Sequence, residues 1–400
     1  MNISIRRSSQ WGVIVVVVIS LFCGRTASCE DRVKPTAVFS GLPDWVCAAQ
    51  FAPREPILAI GTYEEVRLYS TETRKEIAKL PSKTGFIRSL CFSPDGVWLA
   101  TGGYHFVEVW DVAMRKRLLT RKLHKGYVNE LAFSPQGDLL ATGGDDHLVR
   151  LWQVAAPAPP DPAQSDNGFT NLLSAEPIAT LSEHTFPVLG LAFSPKGDLL
   201  CTGAGEETQA AKAGETLLWS VPEGKLLHKF TPHTKATTKV AFSPNGLQLV
   251  SASIDEQVDV YDVESRNALG FFPGHSRAVN SVIWWSSHEP SPAGATGMPP
   301  FTAEQIAQLT NHVLISGSGG RNKGMNDVRL WNPEDGSEFG VIDHHAAKVT
   351  RVALSPNGRW LVTTSYDKTA ALWDLRPLLL KAVETLAKET AQPAKPVVPE

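Results

Sequence analysis

The 400 residues are 42% hydrophobic and 20% charged, so most of the chain can pack, yet it is longer than an ordinary single domain unless it grows by repetition. A formal charge of -3 and a pI near 6.4 lack the basic excess of a nucleic-acid-binding surface, and no nucleic-acid partner is expected. The 31 glycines and 28 prolines, many in recurring turns, fit a protein built from many short strands.

At the N-terminus, Arg6 and Arg7 precede an apolar run over 11–22 that Gly24 and Arg25 end. A membrane-spanning helix needs roughly 20 apolar residues, and this run is shorter. A cleavable signal peptide over 1–28 is predicted, with a small-residue end at Thr26-Ala27-Ser28. A retained N-terminal anchor, and a lipid on Cys29, are the alternatives. Arg6-Arg7 departs from a twin-arginine signal at Ser8-Ser9-Gln10. Cleavage after Ser28 leaves 35 basic against 41 acidic side chains, a net charge of -6. The leader predicts an exported protein: periplasmic, in the cell envelope or secreted. Cys23 and Cys29 lie in or beside the leader, and Cys47, Cys91 and Cys201 sit singly in strand patterns. No CxxC occurs, and these three are expected to be small buried hydrophobes.

From residue 36 onward repetition organises the chain. Phe92-Ser93-Pro94-Asp95-Gly96 recurs as Phe133-Ser134-Pro135-Gln136-Gly137, as Phe193-Ser194-Pro195-Lys196-Gly197, as Phe242-Ser243-Pro244-Asn245-Gly246 and as Leu354-Ser355-Pro356-Asn357-Gly358. Phe51-Ala52-Pro53-Arg54 is a degraded copy, and Ile283-Trp284-Trp285 is a copy without the turn. Ser-Pro-x-Gly reads as a type I turn, because Pro presets φ at its second position and Gly relaxes its fourth. An apolar strand precedes each turn and another follows. A third strand ends on Tyr69, Trp110, Trp152, Trp219, Tyr261, Trp331 or Trp373, and a short fourth follows in most units.

Four strands per unit, with Trp110-Asp111, Trp373-Asp374, Tyr261-Asp262 and Gly274-His275, resemble WD40 repeats over about residues 36–376. The resemblance implies an all-β, seven-bladed WD40-type β-propeller of four-stranded antiparallel blades. It also implies a hydrogen-bonded set in each blade. His124, Thr142, Asp146 and Trp152 complete it in the third unit, and His345, Thr363, Asp367 and Trp373 in the seventh. His233, Ser251, Asp255 and Tyr261 nearly do so in the fifth. The role is structural rather than a catalytic triad, since the set recurs with the fold. In the first and second units Tyr63 and Tyr104 occupy the Asp position, which predicts less rigidly tied blades. The seventh unit has no fourth strand of its own, and residues 36–39 are expected to supply it and close the ring.

Four insertions interrupt the spacing, at 155–175, 204–215, 286–311 and 319–326. The first reads as a spacer, and the third carries a short helix over 302–309. The family layout implies that the first and third lie on the bottom face and the others on the top. A short amphipathic helix is predicted over 378–388, and a disordered tail from Thr390.

Nothing in the sequence resembles an enzyme motif. Asp343-His344-His345 reads poorly as a metal site because His345 is needed in the structural set, and Asp145-Asp146 and Glu206-Glu207 read as structural or solvated carboxylates. No catalytic residue, cofactor or metal is expected. An enzyme with this architecture would line the central channel with converging charged groups. The position three before each repeat aromatic reads Ala48, Ser89, Glu130, Gly190, Lys239, Ser281 and Arg351, whose charges look scattered along the sequence.

Ligand-facing positions implied by the resemblance are more telling. Six residues before the repeat aromatic stand Trp45, Phe86 and Tyr127 in the first three units and Lys348 in the seventh. Four before stand Cys47, Arg88, Asn129, Leu189, Thr238, Asn280 and Thr350. Asp145 and Tyr366 precede the structural Asp. Trp45, Phe86, Arg88, Tyr127, Asn129, Asp145, Lys348 and Tyr366 are therefore the predicted binding residues, since aromatics and Arg dominate interface energies. The expected function is a non-catalytic scaffold, a monomeric propeller holding a protein or peptide on its top face, with a possible N-terminal membrane tether. A small-ligand or carbohydrate-binding propeller is the alternative, and a channel enzyme the more remote one.

Overall fold

In the computed structural model, residues 33–155, 172–206, 212–231, 233–287, 301–320 and 325–390 are described. The leader, the tail from 391, and residues 156–171 and 288–300 of the 155–175 and 286–311 insertions lie outside them, as do 207–211 and 321–324 of the other two. No helix among the described residues is long and apolar enough to cross a membrane.

Antiparallel pairing of sequential strands builds the fold. The first sheet orders Ala48–Phe51, Ile57–Gly61, Tyr63–Ser70 and Glu76–Phe86. Three further four-stranded sheets repeat this plan: from Val188–Phe193 to Leu226–Phe230, from Thr237–Phe242 to Ala268–Pro273, and from Val279–Trp284 to Glu338–Asp343. Between the first sheet and these lies a seven-stranded sheet from Ser89–Phe92 to Ala179–Leu181. It is two four-stranded units sharing one strand, Lys116–Phe133, whose first half pairs with Tyr104–Asp111 and whose second half pairs with Leu139–Gly144. The last sheet contains Val349–Leu354, Trp360–Ser365 and Ala370–Asp374. Its fourth strand is Ala37–Phe39, which pairs Ala37 with Leu372 and Phe39 with Ala370.

The Ser-Pro-x-Gly turns form as their chemistry dictates. Gly96, Gly137, Gly197, Gly246 and Gly358 have φ between 68 and 79°, where a side chain would be strained, and each donates its N–H to the carbonyl of the turn's serine. The serine hydroxyl accepts the N–H that opens the next strand, as Ser134 does from Leu139 at 3.0 Å.

Both faces of each sheet are covered, so the second strands are largely buried; Leu139–Gly144 is buried at every position, its Thr142 included. Seven apolar clusters among the described residues fill the spaces between neighbouring four-stranded units. One joins Leu90, Leu99 and Trp110 to Ile87, Leu68 and Val66. Another joins Phe39, Val362 and Leu372 to Val46, Ile60 and Tyr69, so the last sheet packs on the first.

The insertion helix runs over Ala303–Leu309, one residue inside the predicted 302–309. Thr302 caps it: its hydroxyl accepts from Gln305 N–H, while the Gln305 side chain accepts from Thr302 N–H. The C-terminal helix is longer than 378–388, at Arg376–Thr390, because Pro377 stands in its first turn, where no N–H is required. Leu378, Leu379, Ala382 and Leu386 bury one face of it against Leu309, Phe339 and Ile342. Cys91 and Cys201 are buried hydrophobes as expected; Cys47 is partly exposed, because its position faces the cavity described below.

Candidate functional site

The hydrogen-bonded sets fix the ends of the strands that carry the site. His124 Nδ1 meets Asp146 at 2.7 Å and its Nε2 meets the Thr142 hydroxyl at 2.8 Å, which in turn accepts from Trp152 Nε1–H at 3.2 Å. Every polar atom of the set then has a partner inside the sheet stack, which burial requires. The sets on His345 and His233 form in the same way. Two more exist that the sequence reading passed over: His184 with Glu215 and Thr202, and His275 with Asp327 and Ser316. There the acid comes from the first position of the third strand rather than from the turn before it, and Glu215 and Asp327 stood at that position in the sequence. Burial alone would raise these carboxyls, but the histidine beside each, together with neighbouring hydrogen-bond donors, outweighs it. Asp146, Glu215, Asp255, Asp327 and Asp367 are all held below the usual carboxylate range, Asp367 at about 2.

In the first two units the vacated acid position takes part in backbone pairing, Tyr63 with Phe86 and Tyr104 with Tyr127, each beyond a register shift in its strand pair.

The eight predicted binding residues assemble on one surface in two linked groups. Trp45, 40% exposed, stacks on Tyr366 with ring centroids 4.5 Å apart and on Phe86 at 5.8 Å. The Lys348 ammonium lies over the Tyr366 ring. In the second group, the Arg88 guanidinium lies 3.9 Å from the centroid of Tyr127 and donates to Asn129 Oδ1 at 2.7 Å. Asn129 donates to Asp145 at 2.8 Å, and the other Asp145 oxygen accepts from Tyr127 N–H at 3.0 Å. Tyr63 and Tyr104, not among the predicted residues, extend the arc, exposed and edge-on to Phe86 and Tyr127 at 5.0 Å each. Their signal was an aromatic where other units place Asp.

Beside the arc opens a cavity of about 140 Å³, lined by all seven residues that stand four before a repeat aromatic and by Lys348 and Tyr366. Its wall corrects the sequence reading of scattered charges. Glu130, Lys239 and Arg351 come from three non-adjacent units and converge. Arg351 donates to both Glu130 oxygens at 2.8 Å, and the Lys239 ammonium pairs with Glu130 Oε2. The repeat makes the convergence: the same position in each unit's first strand faces the same space. Gly190 permits it locally, since a Cβ there would stand 2.9 Å from the Lys239 Cα. One carboxylate cannot neutralise two buried cations. Arg351 and Lys239 hold Glu130 low against burial, while burial and then the Arg351 charge push Lys239 down to about 7.

No group of three or more His, Cys, Asp or Glu that could hold a metal gathers among the described residues.

Comparison with known proteins agrees with this architecture. The sequence-family model described as WD domain, G-beta repeat matches residues 74–111, 115–153, 175–208, 224–262 and 336–374. The nuclear distribution protein PAC1 of Arthroderma otae is 28% identical over 49% of this chain and 37% of its own. The LEC14B homolog of Prunus armeniaca is 29% identical over 36% and 26%. The ribosome biogenesis protein WDR12 homolog of Nematostella vectensis is 23% identical over 50% and 58%. The match spans under two thirds of each relative's length.

Proposed function

We propose that this chain, which belongs to the WD40 repeat family, is a non-catalytic protein-binding scaffold: a seven-bladed propeller that holds a partner on the top face. The observation that carries the reading is the gathering of Trp45, Phe86, Arg88, Tyr127 and Tyr366, with Tyr63 and Tyr104, on one surface. Exposed rings held in place by stacking and hydrogen bonds bind with little ordering cost, and such residues carry most of the energy of protein interfaces. A closed ring of seven blades is supported by the pairing of Ala37–Phe39 with the last sheet, and by the Thr350 hydroxyl donating to the Val46 carbonyl at 2.6 Å. It gives the surface a rigid base.

Export belongs to the same proposal and rests on the leader pattern alone, as the curated relatives carry names such as nuclear distribution protein. A fusion of residues 1–40 to a phosphatase that works only outside the cytoplasm tests it. Activity, with a mature N-terminus after Ser28, is the expected result, and an inactive fusion sinks it. The binding reading is tested by Trp45→Ala/Tyr127→Ala, which removes one ring from each of the two groups. A partner bound by the wild type is lost by the variant, while the melting temperature stays within about 3 °C because both rings lie outside the apolar clusters.

A further inference from the structure

The cavity beside the aromatic arc is cationic in a protein that is acidic as a whole. Arg88, Lys239, Lys348 and Arg351 line it with one carboxylate, Glu130, and Asp145 stands 3.9 Å from the Arg88 guanidinium. Glu130 is already held by Arg351 at both oxygens and by Lys239. The Lys239 side chain is 9% exposed, and beyond its ion pair with Glu130 its ammonium finds no hydrogen-bond acceptor among the described residues. On the same wall Asn280 Oδ1 is buried with no donor. A buried ammonium short of acceptors and a buried amide oxygen short of a donor describe a complementary guest, one that brings a negative charge and an N–H together. A peptide with an acidic side chain brings both, the donor being a backbone N–H, whereas a fully deprotonated inorganic anion brings no donor.

We propose that the cavity receives the carboxylate of a Glu or Asp in a partner polypeptide, set against Lys239, with flanking residues of that polypeptide lying on the aromatic arc. The proposal rests on the scaffold reading above and names the chemistry of what the scaffold binds. Lys348, over the Tyr366 ring, and Arg88, over the Tyr127 ring, stand where cavity and arc meet, so one extended segment can engage both.

The test is an array of decapeptides with a central Glu-x-Phe, printed beside versions with Gln or phosphoserine in place of the Glu. It is probed with the full chain and with Lys239→Met, Lys348→Gln and Trp45→Ala. The wild type is expected to retain Glu peptides at least tenfold better than their Gln versions. Lys239→Met should abolish that preference, and Lys348→Gln, at a partly exposed site that does not endanger folding, should cut it severalfold. Equal retention of Glu and Gln peptides, or no retention of any Glu peptide, overturns the carboxylate proposal, as does stronger binding of the phosphoserine series. Unselective binding that still requires Trp45 removes the carboxylate and keeps the scaffold surface. Glu-selective binding that ignores Trp45 keeps the carboxylate and removes the arc.

Discussion

Glu130 is the residue on which the charged wall of the cavity depends. Removing one partner of a buried ion pair leaves the other charges uncompensated, and Glu130→Gln is expected to cost about 3–5 kcal/mol in urea unfolding. Lys239→Met should behave in the opposite way. It removes the second cation and leaves Arg351 bidentate on Glu130, so stability should hold or rise by about 1 kcal/mol. A lysine whose loss does not destabilise the protein is retained for what it binds; a loss of 3 kcal/mol or more would make it a structural group. The histidine-paired carboxylates give a pH dependence. Their folded pKa values lie below the unfolded ones, so their stability is present above about pH 4 and is lost as pH falls towards the folded values. The melting temperature should fall between about pH 4 and pH 2, and less steeply in Asp367→Asn, whose folded carboxyl titrates at about 2 in the wild type. Parallel acid slopes would show that the pair contributes nothing. At this scale the sequence was readable where a position recurs: six of the eight predicted binding residues were found by counting back from the repeat aromatic, and Asp145 and Tyr366 from the position before the structural Asp. It was opaque where the chemistry lies between repeats, since nothing in one dimension shows that residues 130, 239 and 351 face one space.

Strands and turns were legible because each repeat restates the same local chemistry. The Ser-Pro-x-Gly turn, the apolar strands and the terminal aromatic need only neighbours within one unit. Boundaries slipped where tertiary pairing extended an element, as in Lys116–Phe133, whose 18 residues serve two units. The strand Ala37–Phe39 was predicted from its likeness to other fourth strands, and its partner strand is Ala370–Asp374. Phe39 is buried on Tyr69 with centroids 4.5 Å apart. Phe39→Ala should therefore cost about 3–5 kcal/mol, and deletion of 36–40 should lower the melting temperature of the whole domain in one transition. A deletion that melts like the wild type would mean that this strand ties nothing together. In the C-terminal helix, Leu379 is fully buried, and Leu379→Ala should cost about 2–5 kcal/mol by chemical denaturation. A loss under 1 kcal/mol would make the helix an appendage.

For the whole molecule, the repeats supply a rigid frame and the departures from the repeat supply the individuality. Units that keep the His–acid set look alike. The two that lost it carry Tyr63 and Tyr104 in the vacated place, and it is their side of the surface that presents the aromatic arc. The loss of an internal polar tie is thus matched by a gain in exposed rings, Tyr63 bridged to Phe86 and Tyr104 to Tyr127. That association explains why the seven units are unequal, and why fold and surface position could be read from sequence while the partner could not: shape and charge of a surface are sums over units that meet only after folding. The central claim, that this face exists to hold a protein, is tested most directly by affinity capture from native extract with the wild type and with Trp45→Ala/Tyr127→Ala, both shown to be folded by thermal melting. The account predicts a partner retained by the wild type and lost by the double variant. A partner held equally by both would contradict it and move the binding site off this surface.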